Sequence, residues 1–557
     1  MFTLKQLTKV SVEGRTPIEV PVGHLVRDLP GSDRTPDGLP ILAALVNNDV
    51  VTRSYPVEVD CAVKFLTLQD HQGWRIYRST VSFLLAKVIH EQFPGCTFSV
   101  EHSLGNGYYC SLSAKNYEVT REHLRTVERA MHDLVQRDVP IERRKIAFSQ
   151  AVDKFSKEEQ PDKADLLRYR NPPKIVIYEC EGFTDLAHGV LADHTGAIQH
   201  FRILPYPPGF VLQFPDRDHP DDFIPFDPQP QLFQIFKEHK EWGRILGIRT
   251  VGELNRTIAN REIDERVRIA EAFHEKKIAQ LADRIAAQRD RTKWLLLAGP
   301  SSSGKTTFSK RLSVQLRVNG LRPIMISMDN YFVDRARTPL DESGELDFEH
   351  IETVDLELFH KHIAALDRGE EVRMPTFVFE TGTREFRGNT LKIEPDQLVI
   401  IEGIHGLNPR LTEGVPSARK FKIYVSALTQ LNLDCHNRVA TTDNRLLRRM
   451  VRDHMFRGNN AFVTLGRWPS VRRGEKKWIF PFQKEADATF NSALDYELAV
   501  LKPFVEPLLK EIKPDQPQYA EARRLMAFLD YFLAMPYSPV PPNSLLREFI
   551  GRSDFQY

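Results

Sequence analysis

Residues Gly299-Pro300-Ser301-Ser302-Ser303-Gly304-Lys305-Thr306 have the spacing GxxxxGK[ST]. Residue types in that order can grip a triphosphate. The glycines let the backbone turn tightly enough for its N–H groups to converge on phosphate oxygens. Lys305 can reach the β and γ phosphates, and Thr306 offers a hydroxyl to Mg²⁺. Gly299, Ser301, Ser302, Ser303, Gly304, Lys305, Thr306 and Thr307 are therefore the expected contacts to ATP. A Gly/Ser turn can show the same letters by chance. Here the loop follows an apolar run, Trp294 to Ala298, and precedes a helical pattern from Phe308, the setting that a phosphate loop needs.

Phosphoryl transfer also needs a metal ligand set, a base for the attacking oxygen and positive charge over the transferred group. Glu402 ends the apolar run Val399-Ile400-Ile401, where a carboxylate can hold Mg²⁺ or its water, and Gly403 leaves room beside it. An ordinary strand-end glutamate is the plainer reading. Asp329 closes the strand-like Ile324 to Met328. At the C-terminal end of a strand in an open parallel sheet it faces the ligand crevice. There it can accept a proton from a hydroxyl or join Thr306 and Glu402 at the metal; a turn cap is the alternative. Arg445, Arg448, Arg449 and Arg452 recur at helical spacing and can close as a lid over phosphates, although a basic helix face is more often merely solvated.

The elements that must position these groups are legible around them. Strand-like runs at 323–328, 397–403 and 420–426 are nearly continuous in apolar character and are separated by helical patterns. That implies a parallel sheet covered on both faces. A long helix is expected from Arg261 to Arg289, with Ile263, Val267, Ala270, His274, Ile278, Leu281 and Ile285 on one stripe. His274 is read as packed in that stripe, and the helix as a connector between two halves. Further upstream, 10–14 and 17–21 suggest a β-hairpin, and 40–49 a helix-to-strand element ending in an Asn/Asp turn. Residues 78–92 have helical spacing, 96–101 and 174–178 are strand-like, and the Pro- and Asp-rich stretch 207–230 reads as a surface linker. Beyond Lys510 the chain looks helical, broken at Pro536, Pro539 and Pro541-Pro542.

The 557 residues imply several domains, and Lys plus Arg at 76 against Asp plus Glu at 75 leaves no net electrostatic footprint for nucleic acid. No apolar run has the length of a membrane span, and the first residues lack the order of a signal peptide. Five scattered cysteines argue for reduced thiols. The expectation is a cytoplasmic protein.

The kinase-like half resembles the uridine kinase and phosphoribulokinase family. The likeness rests on the phosphate loop, Ser327-Met328-Asp329-Asn330-Tyr331, Leu346-Asp347-Phe348-Glu349-His350, Pro375-Thr376-Phe377-Val378-Phe379, Ile401-Glu402-Gly403-Ile404, and Arg445 to Asp453. The resemblance implies Mg²⁺- and ATP-dependent phosphorylation of a primary hydroxyl, usually the 5′-hydroxyl of a nucleoside. It makes Asp329 the base, with Lys305, Arg448, Arg449 and Arg452 catalytic. Arg445 would contact the nucleotide, Glu402 the metal, and Asp329, Tyr331, Asp347, Phe377 and Arg384 the acceptor. Pyrimidine-specific members carry a Tyr in the Pro-x-Tyr-Asp-Phe segment and a His shortly after. This chain has Phe377 and Val378, with Gly382 at the His position. Phe377 can still stack a ring, but without buried base-reading hydrogen bonds base specificity stays open. Arg384 either contacts the acceptor or pairs with a carboxylate.

Residues 1–66 resemble the TGS module, a ubiquitin-like fold, and 67–225 the second additional domain of threonyl-tRNA synthetase. The second likeness rests on Tyr77 to Leu85, Glu101 to Tyr109 and Thr184 to Gly189. In the synthetases that domain edits with HxxxH and Cys-x-x-x-His; here those positions hold Arg78, Ser82, Ala187 and Leu191. Neither a metal cage nor a base remains, so editing is not expected, and His102, His188 and His194 are assigned structural roles. The expected organisation is 1–66 TGS-like, 67–225 synthetase-like, 226–290 linker and connector helix, 291–510 phosphate-loop kinase, and 511–557 helical tail. The fold class is multidomain α/β and α+β. The function expected is an ATP-dependent kinase of a small hydroxylated acceptor. A sugar or sugar-phosphate kinase is one alternative, and a nucleotide-switched protein that contacts tRNA or the ribosome through its N-terminal domains is another.

Overall fold

In the kinase-like half, runs of apolar residues form a five-stranded sheet whose three central strands are covered on both faces. The computed structural model describes residues 7–113, 119–158, 160–429 and 431–556, so the first six residues of the TGS-like stretch lie outside it.

The chain starts with β1 (Leu7–Val12), β2 (Ile18–Pro21), β3 (Ala43–Val46), β4 (Asp49–Val51) and β5 (Cys61–Leu66), paired in the order β2-β1-β5-β3-β4. β1 and β2 form the expected antiparallel hairpin. The expected helix before Asn47 is absent. Residues 43–46 are strand, and Asn47 (φ 48°) and Asn48 (φ 61°) make a two-residue turn into β4. Two successive left-handed residues suit a tight hairpin, and that local chemistry decides the element.

α1 (His71–Gln92) begins earlier than its periodicity suggests, and residues 80–89 are buried all round. Next come β6 (Thr97–Leu104), β7 (Gly107–Ser113), α2 (Arg121–Gln136), β8 (Glu142–Ala147), α3 (Phe148–Lys157), α4 (Pro161–Leu167), β9 (Lys174–Cys180), β10 (Phe183–Asp185), β11 (Arg202–Tyr206) and β12 (Gly209–Gln213). β12 corrects the reading of 207–230 as linker throughout: its five residues are buried between β11 and β7. The neighbouring prolines masked a short apolar strand.

α5 (Pro230–Leu246), α6 (Val251–Ala259) and α7 (Ile263–Ala286) lead to the kinase sheet. The α7 stripe is buried as expected, except that Leu281 is only partly covered. His274 is buried and bonds the Ala493 carbonyl at 3.2 Å. α7 does more than connect, because it packs along the helix that follows the phosphate loop.

The sheet contains β13 (Trp294–Ala298), β14 (Arg322–Ser327), β17 (Gln397–Glu402), β18 (Lys420–Ser426) and β19 (Ala488–Asn491), in the order β14-β17-β13-β18-β19, all parallel. Between them lie α8 (Lys305–Val318), α9 (Leu356–Asp367), and the hairpin β15 (Thr376–Val378) and β16 (Thr383–Glu385). Alternation sorts each strand. Leu295, Leu297, Leu398 and Ile400 pack toward α7 and α8; Trp294, Leu296, Val399 and Ile401 pack toward α9. α10 (Thr441–Arg457), α11 (Ala461–Trp478), α12 (Glu497–Lys510), α13 (Tyr519–Leu529) and α14 (Arg547–Ile550) enclose the largest apolar core together with α6 and α7. No helix among the described residues is long and apolar enough to cross a membrane.

A loop between β18 and α10 ties the two halves together. The Val100 N–H donates to the Cys435 carbonyl at 2.8 Å, and Asn432 donates to the Val100 carbonyl at 2.9 Å. His436 meets Asp185 at 2.6 Å, and His188 meets Asp434 at 2.9 Å. Arg438 lies over Tyr108, as does Arg78. The loop carrying Asp434, His436 and Arg438 is thus seated beside Asp185, His188 and the Arg78–Tyr108 stack. His102 stacks on Phe236, and His194 bonds Asp138 at 2.5 Å.

Candidate active site

β13 delivers the chain to the phosphate loop, and the turn has little tolerance. An added Cβ at Gly299 would lie 2.0 Å from the Val425 carbonyl oxygen, and Gly304 has φ +82°. Glycine is needed at 299 for close approach and at 304 for the left-handed conformation. The Ser303 carbonyl accepts from Ser492 Oγ at 2.5 Å, which anchors the loop to the end of β19. Lys305 is buried, with Nζ 3.3 Å from the Pro300 carbonyl. The hydroxyls of Ser302 and Ser303 are buried without a hydrogen-bond partner among the described residues. Buried donors are normally satisfied, so these fit a loop built to meet phosphate oxygens.

β14 and β17 end side by side, with Ser327 opposite Glu402. The alternation that sends Leu398 and Ile400 toward α8 sends Glu402 there as well. Thr306 bonds its carboxylate, and burial pushes that carboxyl up to about 7 against the pull of Lys305; Asp329 and Glu548 add to the rise. Asp329 sits half-buried in the turn Met328–Tyr331 just beyond β14. Its charge acts on Glu402 and on Arg457 at the end of α10. Thr306 and Glu402, with Asp329 beside them, are hard oxygen donors of the kind Mg²⁺ takes. Mg²⁺ therefore fits this donor set.

The arginines of α10 divide by partner. Arg445 is buried and ion-paired with Glu475, with Nε 3.0 Å from the Ser301 carbonyl. Arg448 is fully buried; it donates to Glu497 at 2.6 Å and to the Ser492 carbonyl at 2.8 Å. These two brace the phosphate loop from behind instead of closing over it. Arg449 reaches Ser301 Oγ at 2.8 Å. Asp453 lies 3.2 Å from Arg449, 3.0 Å from Arg452 and 3.8 Å from Arg457, and these cations hold its carboxyl low despite burial. Repulsion from Arg452, with burial, lowers Arg457 to about 10, while Asp453 and Asp329 oppose the fall. Arg457 continues the same helix stripe one turn past Asp453, a signal that the sequence offered and the lid reading stopped short of.

Among the expected acceptor contacts, Tyr331 does not reach a crevice. It is fully buried, its hydroxyl 3.0 Å from His362 Nδ1 and its ring edge-on to Phe359. It belongs to the core on the α9 face. Asp347 is engaged in its own loop, accepting the Glu349 N–H at 3.1 Å. Glu349 is the carboxylate set among Lys305, Arg445 and Arg449. Burial, then Glu475, pushes it up to about 7 against those three cations, and its Oε2 has no hydrogen-bond partner among the described residues. Phe377 is half-buried and edge-on to Phe332 and Phe379. Arg384 pairs with Asp355 at 2.8 Å. At Gly382, an added Cβ would lie 2.7 Å from Arg335 Nε, so the Arg335 guanidinium takes the space there.

Residues 295–499 match the Phosphoribulokinase / Uridine kinase family. The chain therefore carries a kinase-family domain in its C-terminal half. Its N-terminal part has threonyl-tRNA synthetase-like homology. It is 28% identical to the threonine–tRNA ligase of Thermotoga neapolitana over 29% of this chain and 26% of that protein. It is 26% identical to that of Clostridium kluyveri over 36% of this chain and 31% of that one. The chain thus spans under a third of the length of the curated relatives it matches. Among solved structures, a possible uridine kinase from Bacillus stearothermophilus is 21% identical, over 38% of this chain and all of that one, with a TM-score of 0.25. The D-glycerate 3-kinase of Cryptococcus neoformans is 14% identical, over 45% of this chain and 87% of that one, with a TM-score of 0.23. Likeness at these scores carries no weight for fold or substrate.

Proposed function

We propose that this protein transfers the γ-phosphoryl group of ATP to a primary hydroxyl of a small acceptor, with the 5′-hydroxyl of a nucleoside as the leading candidate. One observation carries the reading. Asp329 and Glu402, at the ends of adjacent strands, share one basin with Lys305 and Thr306. Asp329 accepts the proton of the attacking hydroxyl. The acceptor oxygen bonds to the γ-phosphorus as the bond from that phosphorus to the bridging oxygen breaks, and ADP leaves. Lys305, Arg449 and Arg457 face the charge that spreads over the phosphoryl oxygens. Thr306 and Glu402 would hold Mg²⁺, which when bound neutralises charge on the phosphates. Glu349, with an oxygen to spare beside Lys305, orients a hydroxyl of the acceptor.

Phe377, flanked by Phe332 and Phe379, offers an aromatic surface for a base. Arg335 beside Gly382 favours a second reading, a sugar or sugar phosphate, since a guanidinium suits a phosphate better than it suits a uracil edge. The test is ADP release from Mg·ATP in the presence of single nucleosides, ribose sugars, sugar phosphates or tRNA. Stimulation by one nucleoside supports the first reading, and by a sugar or sugar phosphate alone the second. A response to tRNA alone would replace both with a nucleotide-switched RNA binder. Asp329→Asn should lower turnover by about 100-fold or more while leaving nucleotide binding intact. Undiminished turnover would remove Asp329 from the base role.

A further inference from the structure

The C-terminal segment beyond the family match returns to the phosphate loop. Ser544 Oγ donates to Glu271 on α7 at 2.5 Å. Leu545, Leu546, Phe549 and Ile550 are buried, and Leu545 lies 3.7 Å from where a Cβ on Gly304 would stand. The segment is packed into the kinase core, and it carries one carboxylate into the phosphate basin. Glu548 Oε2 accepts from the Thr307 N–H at 3.1 Å and from Thr307 Oγ1 at 2.8 Å. Lys310 and Glu402 both lie within electrostatic reach of it.

Thr307 is in the first turn of α8, where the helix dipole and the free N–H groups attract anions. In a phosphate loop the backbone N–H groups cradle the α and β phosphates, while the lysine reaches the β and γ phosphates and the next hydroxyl serves the metal. Lys305 and Thr306 take the latter two duties. The Thr307 N–H that follows them is among the backbone donors left for the α and β phosphates, and there a side-chain carboxylate already stands. A carboxylate oxygen and a phosphate oxygen cannot share that pair of donors, and a further negative charge beside Glu402 repels a polyanion.

Resting on the nucleotide-kinase reading, we infer that Glu548 is an internal competitor for the nucleotide: its carboxylate occupies an α- or β-phosphate position of the phosphate loop and sets the affinity for ATP and ADP. Full occupancy by nucleotide then requires the 544–551 segment to withdraw Glu548 from Thr307.

The test compares the full-length protein with Glu548→Gln by calorimetric titration of MgATP and MgADP at fixed salt. The variant should bind both about tenfold more tightly, the worth of one charge-assisted hydrogen bond. Equal affinity, or weaker binding by the variant, overturns the inference; weaker binding would make Glu548 a brace of the loop. No nucleotide binding by either protein sinks the kinase reading and this inference with it, so the two failures are distinguishable. The unaltered protein supplies a second readout that does not depend on a variant folding. Saturating MgATP should accelerate amide hydrogen exchange in 544–551, and unchanged protection with nucleotide bound overturns the inference.

Discussion

Replacing Glu349 with glutamine should make the ligand-free protein more stable at about pH 8 while impairing the enzyme. The carboxyl is buried beside Glu475 and pushed from 4.5 up to about 7. The folded protein therefore holds this proton more firmly than the unfolded chain does. Between those two values the native state binds more protons, so stability falls as pH rises. The penalty is absent below 4.5 and complete above about 7. A carboxyl raised from 4.5 to about 7 forfeits about 3 kcal/mol when fully ionised. Glutamine keeps the shape and cannot ionise, so the variant escapes that penalty. At roughly 2–4 °C per kcal/mol for a unit of this size, the midpoint of the ligand-free variant should rise by about 6–12 °C at pH 8. At pH 5 the gain should nearly vanish. Activity should move the opposite way, because an ionised oxygen aimed at an acceptor hydroxyl is worth roughly 1.5–3 kcal/mol, or about 10- to 100-fold in kcat/KM. Melting curves at both pH values and steady-state kinetics read the two effects. A variant no more stable than its parent at pH 8, or equally stabilised at both pH values, would refute the claim that Glu349 is held as a desolvated, underpaired carboxylate.

Gly474 lies inside α11, where alanine would ordinarily gain about 1 kcal/mol, yet an added Cβ would stand 2.4 Å from Glu349 Cβ and 3.0 Å from Asp347 Oδ1. Gly474→Ala should therefore destabilise the protein by about 1–3 kcal/mol and raise KM for the acceptor, as read by denaturant titration and kinetics. Arg448→Met strands the buried Glu497 and should cost about 3–5 kcal/mol in stability. Arg449→Met should instead spare most of the stability and lower kcat by about 100-fold; the two variants are separated by comparing melting midpoints with turnover.

How far the sequence could be read depended on how local the cause was. A phosphate loop between an apolar strand and a helix is a short-range pattern, and it folds as its letters require. The strands 397–403 and 420–426 were legible because parallel strands covered on both faces leave near-continuous apolar runs; 323–328 shows a similar run although it lies at the sheet edge with Met325 exposed. The carboxylates at strand ends followed from the same register. The hairpin at Asn47 and Asn48 overrode a helical-looking approach, and β12 hid among prolines, because turn chemistry and neighbouring strands decided those segments.

By itself, then, the order of residues determined the phosphate-loop turn, the parallel sheet and the end of that sheet at which Asp329 and Glu402 lie. Tertiary structure decided which charges are left over for chemistry. Four arginines at helical spacing look alike until α11 and α12 bring Glu475 and Glu497 against two of them. Asp347 and Glu349 are two residues apart, and only the fold turns one into its own loop and the other toward Lys305. Glu548 is 241 positions from Thr307, and no periodicity spans that distance. Its place at the phosphate loop is set by the packing of a distant segment onto α7 and α10, because a charge acts through space on whatever the folded chain puts beside it.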